Sequence, residues 1–351
     1  MASACAEKLM RRLRRSVFVS QDAARAKLPV ALLSGFLGSG KTTLVNAFLR
    51  HPSMAGTAVA VNEFGAVPLD ADLIDHGADK TVVLANGCLC CNLSGEIDDA
   101  VMRLFSRREY GEVPRFQRLI IEPSGLSDPA PIAQAILRNP VMAASLRLES
   151  IVTTVDALFA QQQISRHPET RKQIALADRL VITKPDLADT AALRQTLRAI
   201  NTVAPVLMAV HGEIAPDTLF PRSFLDPDEP EPAARSLLFA DDADPDHTSR
   251  IATVSLIAEM PLRWPAFEVW LRRLRLGHED QLLRVKGLLH IQGADGPVVV
   301  QGVHHVIDAP VMLDRWPSAD MRSRLVLIAD RDTIDAARRS WHDALPDLTA
   351  T

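Results

Sequence analysis

The sequence predicts an α/β protein, with a mostly parallel sheet in its first two thirds and a smaller α+β domain behind it. Three observations lead there. Short, near-continuous Val/Ile/Leu runs alternate with longer amphipathic stretches, as in strands covered on both faces and joined by right-handed helical crossovers. A glycine-rich turn lies between the first such run and the first amphipathic stretch. The composition breaks after Phe220, and beyond it strand-like segments cluster with few helices.

The chain has 351 residues, long enough for two domains. Residues 1–27 carry Arg11, Arg12, Arg14 and Arg15 with no apolar run after them, so they read as a basic extension, a solvated helix or a tail, and not a secretory signal. The first domain spans 28–220. Its strands are expected at Pro29–Leu33, Ala58–Val61, Thr81–Ala85, Arg118–Ile121, Ser150–Val155, Arg179–Ile182 and Pro205–Met208. Helices are expected near Lys41–Arg50, Ile97–Arg108, Pro129–Arg138, Glu169–Ala177 and Thr190–Ile200. Residues 221–250 hold Asp226, Asp228, Glu229, Glu231, Asp241, Asp242, Asp244 and Asp246 among prolines, which reads as an exposed acidic linker.

The second domain, 251–346, opens on the alternating Ile251–Glu259 strand. A helix follows at Pro265–Leu276, then strands at Leu282–Ile291, Pro297–Ile307 and Arg324–Ala329, and a closing helix at Thr333–Ala344. Clustered strands of this kind suggest an antiparallel sheet. No apolar run approaches the roughly 20 residues that cross a bilayer, so no membrane role is expected. The net charge of −4 lacks the basic surplus of a nucleic-acid binder.

The glycine-rich turn, Gly35-Phe-Leu-Gly38-Ser39-Gly40-Lys41-Thr42, has the spacing of a phosphate-binding P-loop, between a strand and a helix as that chemistry requires. Its N–H groups and the helix dipole would face phosphates, Lys41 would reach the β- and γ-phosphates, and Thr42 would bind Mg²⁺. Glu122, ending a buried strand in Glu122-Pro-Ser-Gly125, is the candidate acid on the Mg²⁺ side, and Gly125 would offer its N–H to the γ-phosphate. Thr183-Lys184-Pro185-Asp186 resembles a guanine-reading loop. Asp186 can accept from the N1–H and exocyclic amine of guanine, a donor pair that adenine lacks, while Lys184 would lie along the base. Leu126 stands where Ras-like GTPases place a water-orienting Gln, which predicts slow intrinsic turnover.

Of the four cysteines, Cys88, Cys90 and Cys91 fall within four residues after a predicted strand and an Asn86-Gly87 turn, and Cys5 lies in the extension. Thiolates are soft donors suited to Zn²⁺ or Cu(I), and three leave one tetrahedral position open for exchange. Three buried inert thiols, or a redox dithiol of Cys88 and Cys91, are the competing readings.

Gly-Phe-Leu-Gly-Ser-Gly-Lys-Thr-Thr at 35–43, Val-Asn-Glu-Phe-Gly at 61–65, Gly-Cys-Leu-Cys-Cys at 87–91, Glu-Pro-Ser-Gly at 122–125 and Thr-Lys-Pro-Asp at 183–186 occur in that order. Together with Arg284-Val-Lys-Gly-Leu-Leu-His290 and Val298-Val-Val-Gln-Gly302, they resemble the CobW-type family of metallochaperone GTPases, relatives of the GTPases that mature urease and hydrogenase. The resemblance spans about residues 28–330. It implies a P-loop NTPase fold with a CobW-like C-terminal domain, and a cytoplasmic GTPase using GTP/GDP and Mg²⁺. Its cargo would be zinc or another divalent transition metal, passed to a client metalloprotein. The implied nucleotide ligands are Gly35, Gly38, Ser39, Gly40, Lys41, Thr42, Thr43, Gly125, Thr183, Lys184 and Asp186, with Lys41, Thr42 and Glu122 serving hydrolysis. The implied cargo ligands are Cys88, Cys90 and Cys91, with Glu63 as a candidate fourth.

Many relatives carry a histidine-rich stretch, and this chain does not; only His247 lies in the linker. His304 and His305, adjacent in an expected strand, should face opposite ways. A cobalt or iron carrier for cofactor or nitrile-hydratase assembly, a GTP-gated metal sensor and a small-molecule kinase are the alternatives. Client and oligomeric state are left open by the residues.

Overall fold

The computed structural model describes residues 17–61, 74–75, 82–85, 95–220 and 250–349. They fall into two compact units, one of Lys27–Arg222 and one that joins the residues before 27 to those after 222.

The first unit is built on an eight-stranded sheet. Its strands are β2 (Leu28–Gly35), β3 (Thr57–Val61), β4 (Ile74–Asp75), β5 (Val82–Ala85), β6 (Arg118–Glu122), β7 (Leu146–Asp156), β8 (Arg179–Thr183) and β9 (Val206–Ala209). They run in the order β4-β5-β3-β6-β2-β7-β8-β9. Every neighbouring pair is parallel except the two-residue β4, which lies antiparallel on β5 at one edge. The helices between strands are α2 (Lys41–Leu49), α3 (Gly95–Glu109), α4 (Ala130–Arg138), α5 (Pro140–Ser145), α6 (Ala160–Arg166), α7 (Pro168–Leu176), α8 (Ala191–Ile200) and α9 (Pro216–Leu219). The seven strands expected for this domain are present. The short α5, α6 and β4 were not expected, because segments of two to seven residues are too brief to show a period.

The alternation of β2 explains its burial. Ala31 and Leu33 meet Leu44, Val45 and Phe48 of α2 on one face, with Val59, Ile120, Val152 and Val181 from neighbouring strands. Val30 and Leu32 point the other way and are equally buried, and α7 packs on that strand too. Each large side chain so enclosed contributes about 1.5–3 kcal/mol. For the site, register is what counts. Gly35 lies beside Thr154, Val61 beside Glu122, and Asp156 beside Thr183, so the C-terminal ends of five strands form one rim.

The second unit holds a mixed sheet in the order β1-β14-β12-β11-β15-β10, with β13 also on β12. Its strands are β1 (Val19–Ser20), β10 (Ile251–Ala258), β11 (Leu282–Leu289), β12 (Val298–Val303), β13 (Val306–Ile307), β14 (Val311–Met312) and β15 (Ser323–Asp330). Helices α10 (Trp264–Gly277) and α11 (Arg331–Thr349) pack on one face. Phe267, Trp270, Leu271 and Leu274 recur at helical spacing, and Trp270 meets Trp341 edge to face at 4.9 Å. No helix among the described residues is long and apolar enough to cross a membrane.

Two segments depart from the sequence reading. Residues 17–26, grouped above with the basic extension, join the second unit. Val19–Ser20 pairs in parallel with Val311–Met312, Phe18 is buried edge to face on Trp264, and α1 (Gln21–Arg25) sets Ala24 against Leu288 and Leu313. The arginines at 11–15 lie outside the described residues. The strand expected at Pro297–Ile307 is instead a tight hairpin of β12 and β13. It turns at His304, whose φ of 52° is left-handed, so the opposite-face expectation for His304 and His305 does not apply. Gly302 permits the turn, since a Cβ there would stand 2.7 Å from Val306 O.

Candidate nucleotide site

Strand β2 delivers the chain to the rim at Gly35, where φ is +140° and a Cβ would collide with Thr154 Oγ1 at 2.2 Å. Only glycine fits that crossing. Gly40 is also left-handed, at φ 87°, and opens α2 with no side-chain cap, so the first N–H groups of the helix remain directed at the loop. Gly38, at φ +72°, completes the curl.

Inside this loop Lys41 is buried and donates from Nζ to Gly35 O at 2.9 Å and Phe36 O at 3.3 Å. Burial pushes its ammonium below the usual lysine range, with Glu122 acting in the opposite direction. Thr42 Oγ1 donates to Glu122 Oε1 at 3.1 Å, and Glu122 is only 3% exposed at the end of β6. A hydroxyl and a carboxylate held together beside a phosphate loop suit a hard, oxygen-preferring cation such as Mg²⁺. Ser39 is packed inward, its Oγ 2.7 Å from Thr154 Oγ1 and its N–H donating to Phe36 O at 3.2 Å. Thr43 is exposed on the first turn of α2.

Gly125 comes against the same loop. A Cβ on it would lie 2.6 Å from Leu37 N, so the peptide that could face a γ-phosphate packs directly on the phosphate loop. Gln173 of α7, fully buried, holds this turn by donating from Nε2 to Gly125 O at 3.1 Å and Ser127 O at 3.0 Å. Leu126 is 53% exposed.

At the end of β8, Thr183 Oγ1 donates to Ser39 O at 2.8 Å, which ties the guanine-type loop to the phosphate loop. Lys184, left-handed at φ 54°, sends Nζ to Gly38 O at 3.1 Å and to Asp156 Oδ2 at 2.5 Å. Asp186 is exposed beyond it. The structure therefore gathers Gly35 to Thr42, Glu122, Gly125, Thr183 and Lys184 on one rim. Three contributors were missed by sequence reasoning: Thr154, Asp156 and Gln173. Asp156 carried the same signal as Glu122, an acid closing a buried strand next to the P-loop strand. Gln173 had none, since its partners are set by tertiary packing.

Cys88, Cys90, Cys91 and Glu63 lie outside the described residues. Among the described ones, no group of three or more His, Cys, Asp or Glu could hold a metal ion. What is described is where the flanking strands end: β3 at Val61 and β5 at Ala85, paired with each other, with Val61 also paired to Glu122.

A phosphate loop, a Thr–Glu pair and a Thr-Lys-x-Asp loop on the rim of a parallel sheet define a P-loop GTPase. The chain belongs to the CobW/HypB/UreG family, whose nucleotide-binding domain matches residues 29–208, while the cobalamin synthesis protein cobW C-terminal domain matches residues 251–345. It is 34% identical over 305 residues to the zinc chaperone YjiA of Escherichia coli (strain K12), covering 86% of this chain and 93% of the relative. It is 26% identical over 363 residues to the zinc chaperone CobW of Sinorhizobium sp, covering 92% and 98%. The crystal structure of Zn(II)-bound YjiA GTPase from E. coli superposes with a TM-score of 0.68 at 26% identity, covering 91% of this chain and 99% of that one.

Proposed function

We propose that this chain is a GTP-hydrolysing zinc chaperone that holds the ion on Cys88, Cys90 and Cys91 and hands it to a client metalloprotein. The observation that carries the reading is the register Ala85–Val61–Glu122. The segments bearing the cysteines and Glu63 each begin within three residues of a strand end that lies in line with the Mg²⁺-side carboxylate. Relatives named zinc chaperone, and others named zinc-regulated GTPase metalloprotein activator in Schizosaccharomyces pombe and Saccharomyces cerevisiae, support the choice of cargo and of a client.

In this mechanism the loop N–H groups and Lys41 bind the β- and γ-phosphates, leaving the contacts to Gly35 O and Phe36 O to do so. Thr42 and Glu122 would hold Mg²⁺, which would neutralise charge on the phosphate oxygens. The Gly125 N–H faces the γ-phosphate, and Asp186 reads guanine. Leu126 offers no group to orient water, so the isolated chain should release phosphate slowly, at or below about 10⁻³ per second, the order of a P-loop GTPase without an arginine finger. A phosphate-release assay checks this.

The cargo site is tested by anaerobic zinc titration of the wild type and of a Cys88→Ser, Cys90→Ser, Cys91→Ser variant. Loss of the tightest zinc site, with GDP affinity retained, is expected. An unchanged zinc isotherm overturns the assignment.

A further inference from the structure

The geometry points to Asp156 as a positioning residue for the purine base, acting through Lys184. This rests on the reading of Lys184 and Asp186 as the base-binding pair.

Asp156 ends β7, between the P-loop strand and the guanine-loop strand, and is 1% exposed. One carboxylate oxygen, Oδ1, accepts from Leu158 N at 2.8 Å, a local turn that a neutral Asn would close as well. The other, Oδ2, meets Lys184 Nζ at 2.5 Å. A buried carboxylate needs a compensating cation, and Lys184 supplies it although its own side chain is 38% exposed. Its ammonium is fixed at two points, Asp156 and Gly38 O, and its backbone sits in the left-handed region that a non-glycine residue rarely adopts.

A lysine held this way cannot swing. Its four-carbon stem runs from a backbone two residues before Asp186 to an ammonium fixed on Gly38 O and Asp156 Oδ2, as a preformed wall for a flat aromatic base. An unpinned lysine would have to be ordered by the nucleotide, and affinity would fall by the entropy of that ordering. The effect belongs to the base and is the same for di- and triphosphates.

The test uses the full chain with Mg²⁺. Affinities are measured for GDP, for a non-hydrolysable GTP analogue and, by competition, for ribose 5-triphosphate, which has no base. Asp156→Asn should weaken GDP and the GTP analogue by the same factor, about 5–30-fold, and leave ribose 5-triphosphate unchanged. In a Lys184→Met background the same substitution should add less than about 2-fold, because the coupled partner is gone. Equal loss for ribose 5-triphosphate, no loss for GDP, or full additivity with Lys184→Met overturns the proposal. Should Asp156→Asn not fold, Asp156→Ser keeps a turn acceptor without the charge and is read against the same outcomes. A separate Asp186→Asn variant should shift preference from guanosine to xanthosine diphosphate. Failure of that arm alone removes the base-pair reading, whereas failure of the Asp156 arms alone removes this one.

Discussion

At the scale of single residues, the site is governed by contacts too close for any side chain to intrude. Gly125 packs on the backbone of Leu37, with a would-be Cβ 2.6 Å from the amide nitrogen and 2.8 Å from Cα. Because backbone cannot yield as a flexible side chain does, Gly125→Ala should displace the phosphate loop and lower GDP and GTP-analogue affinity by at least about tenfold. Overpacking of this kind destabilises by about 1–3 kcal/mol, so calorimetric titration of a still-folded variant checks the expectation. In the other unit, Asp320 accepts from Arg322 through Nε and Nη2, each at 3.0 Å, and from Arg324 Nη2 at 2.9 Å. These bonds, Arg322 foremost, hold its carboxyl well below the usual range near 3.8. The folded form thus binds its proton less readily than the unfolded chain. The stabilisation is complete above the unfolded pKa and disappears as pH falls through the folded one. Asp320→Asn should therefore melt a few degrees below wild type at pH 7 in low salt, and the gap should close as the pH is taken below about 4. Thermal melts across that range decide it.

At the scale of elements, the N-terminal strand and helix make a prediction that composition would not suggest. Phe18 is buried against Trp264, with ring centroids 4.8 Å apart, one residue before β1 pairs with β14. Phe18→Ala should destabilise the second unit by about 3–5 kcal/mol, the usual range for an enclosed aromatic, while leaving GDP affinity intact. Denaturant unfolding read by tryptophan fluorescence, beside a nucleotide titration, measures both. This segment also marks where the sequence stops being legible. The parallel core could be read because β2, β6, β7 and β8 are apolar runs buried on both faces, and the phosphate loop because its glycines and Lys41 have fixed spacing. Val19–Ser20 is two residues long and acquires its strand character only from Val311–Met312, far along the chain. The β12–β13 hairpin was hidden for a related reason. Val298–Ile307 is almost uninterrupted strand-like sequence, and its turn uses a left-handed His304 in place of the Gly or Asn that announces one. Gln173 and Thr154 reach the site by packing alone, whereas Asp156 is legible as Glu122 is, an acid closing a buried strand that flanks β2.

At the scale of the whole molecule, the question is whether nucleotide and metal report to each other. The rim supplies the path: Ala85, Val61 and Glu122 stand side by side on neighbouring strands, and Thr42 bonds Glu122. If Glu122 supports Mg²⁺ as proposed, a change at its carboxylate between di- and triphosphate states would arise one strand from Val61 and two from Ala85, after which the Glu63 and Cys88 segments follow in the sequence. If zinc is held more tightly beside the triphosphate, linkage requires the triphosphate to be held more tightly beside zinc, by the same factor, about 5–150-fold for a typical coupling. Both legs can be measured: zinc affinity with the GTP analogue and with GDP, and affinity for each nucleotide with and without zinc. Equal ratios well above one are expected in the wild type, and ratios of one in the triple Cys→Ser variant. Zinc affinity that ignores the nucleotide would remove the switch from the mechanism and leave a metal-binding GTPase whose two sites work independently. Reciprocity applies only to binding, so hydrolysis rate is not a substitute readout; a zinc effect on turnover with no effect on affinity would place the coupling in the transition state instead.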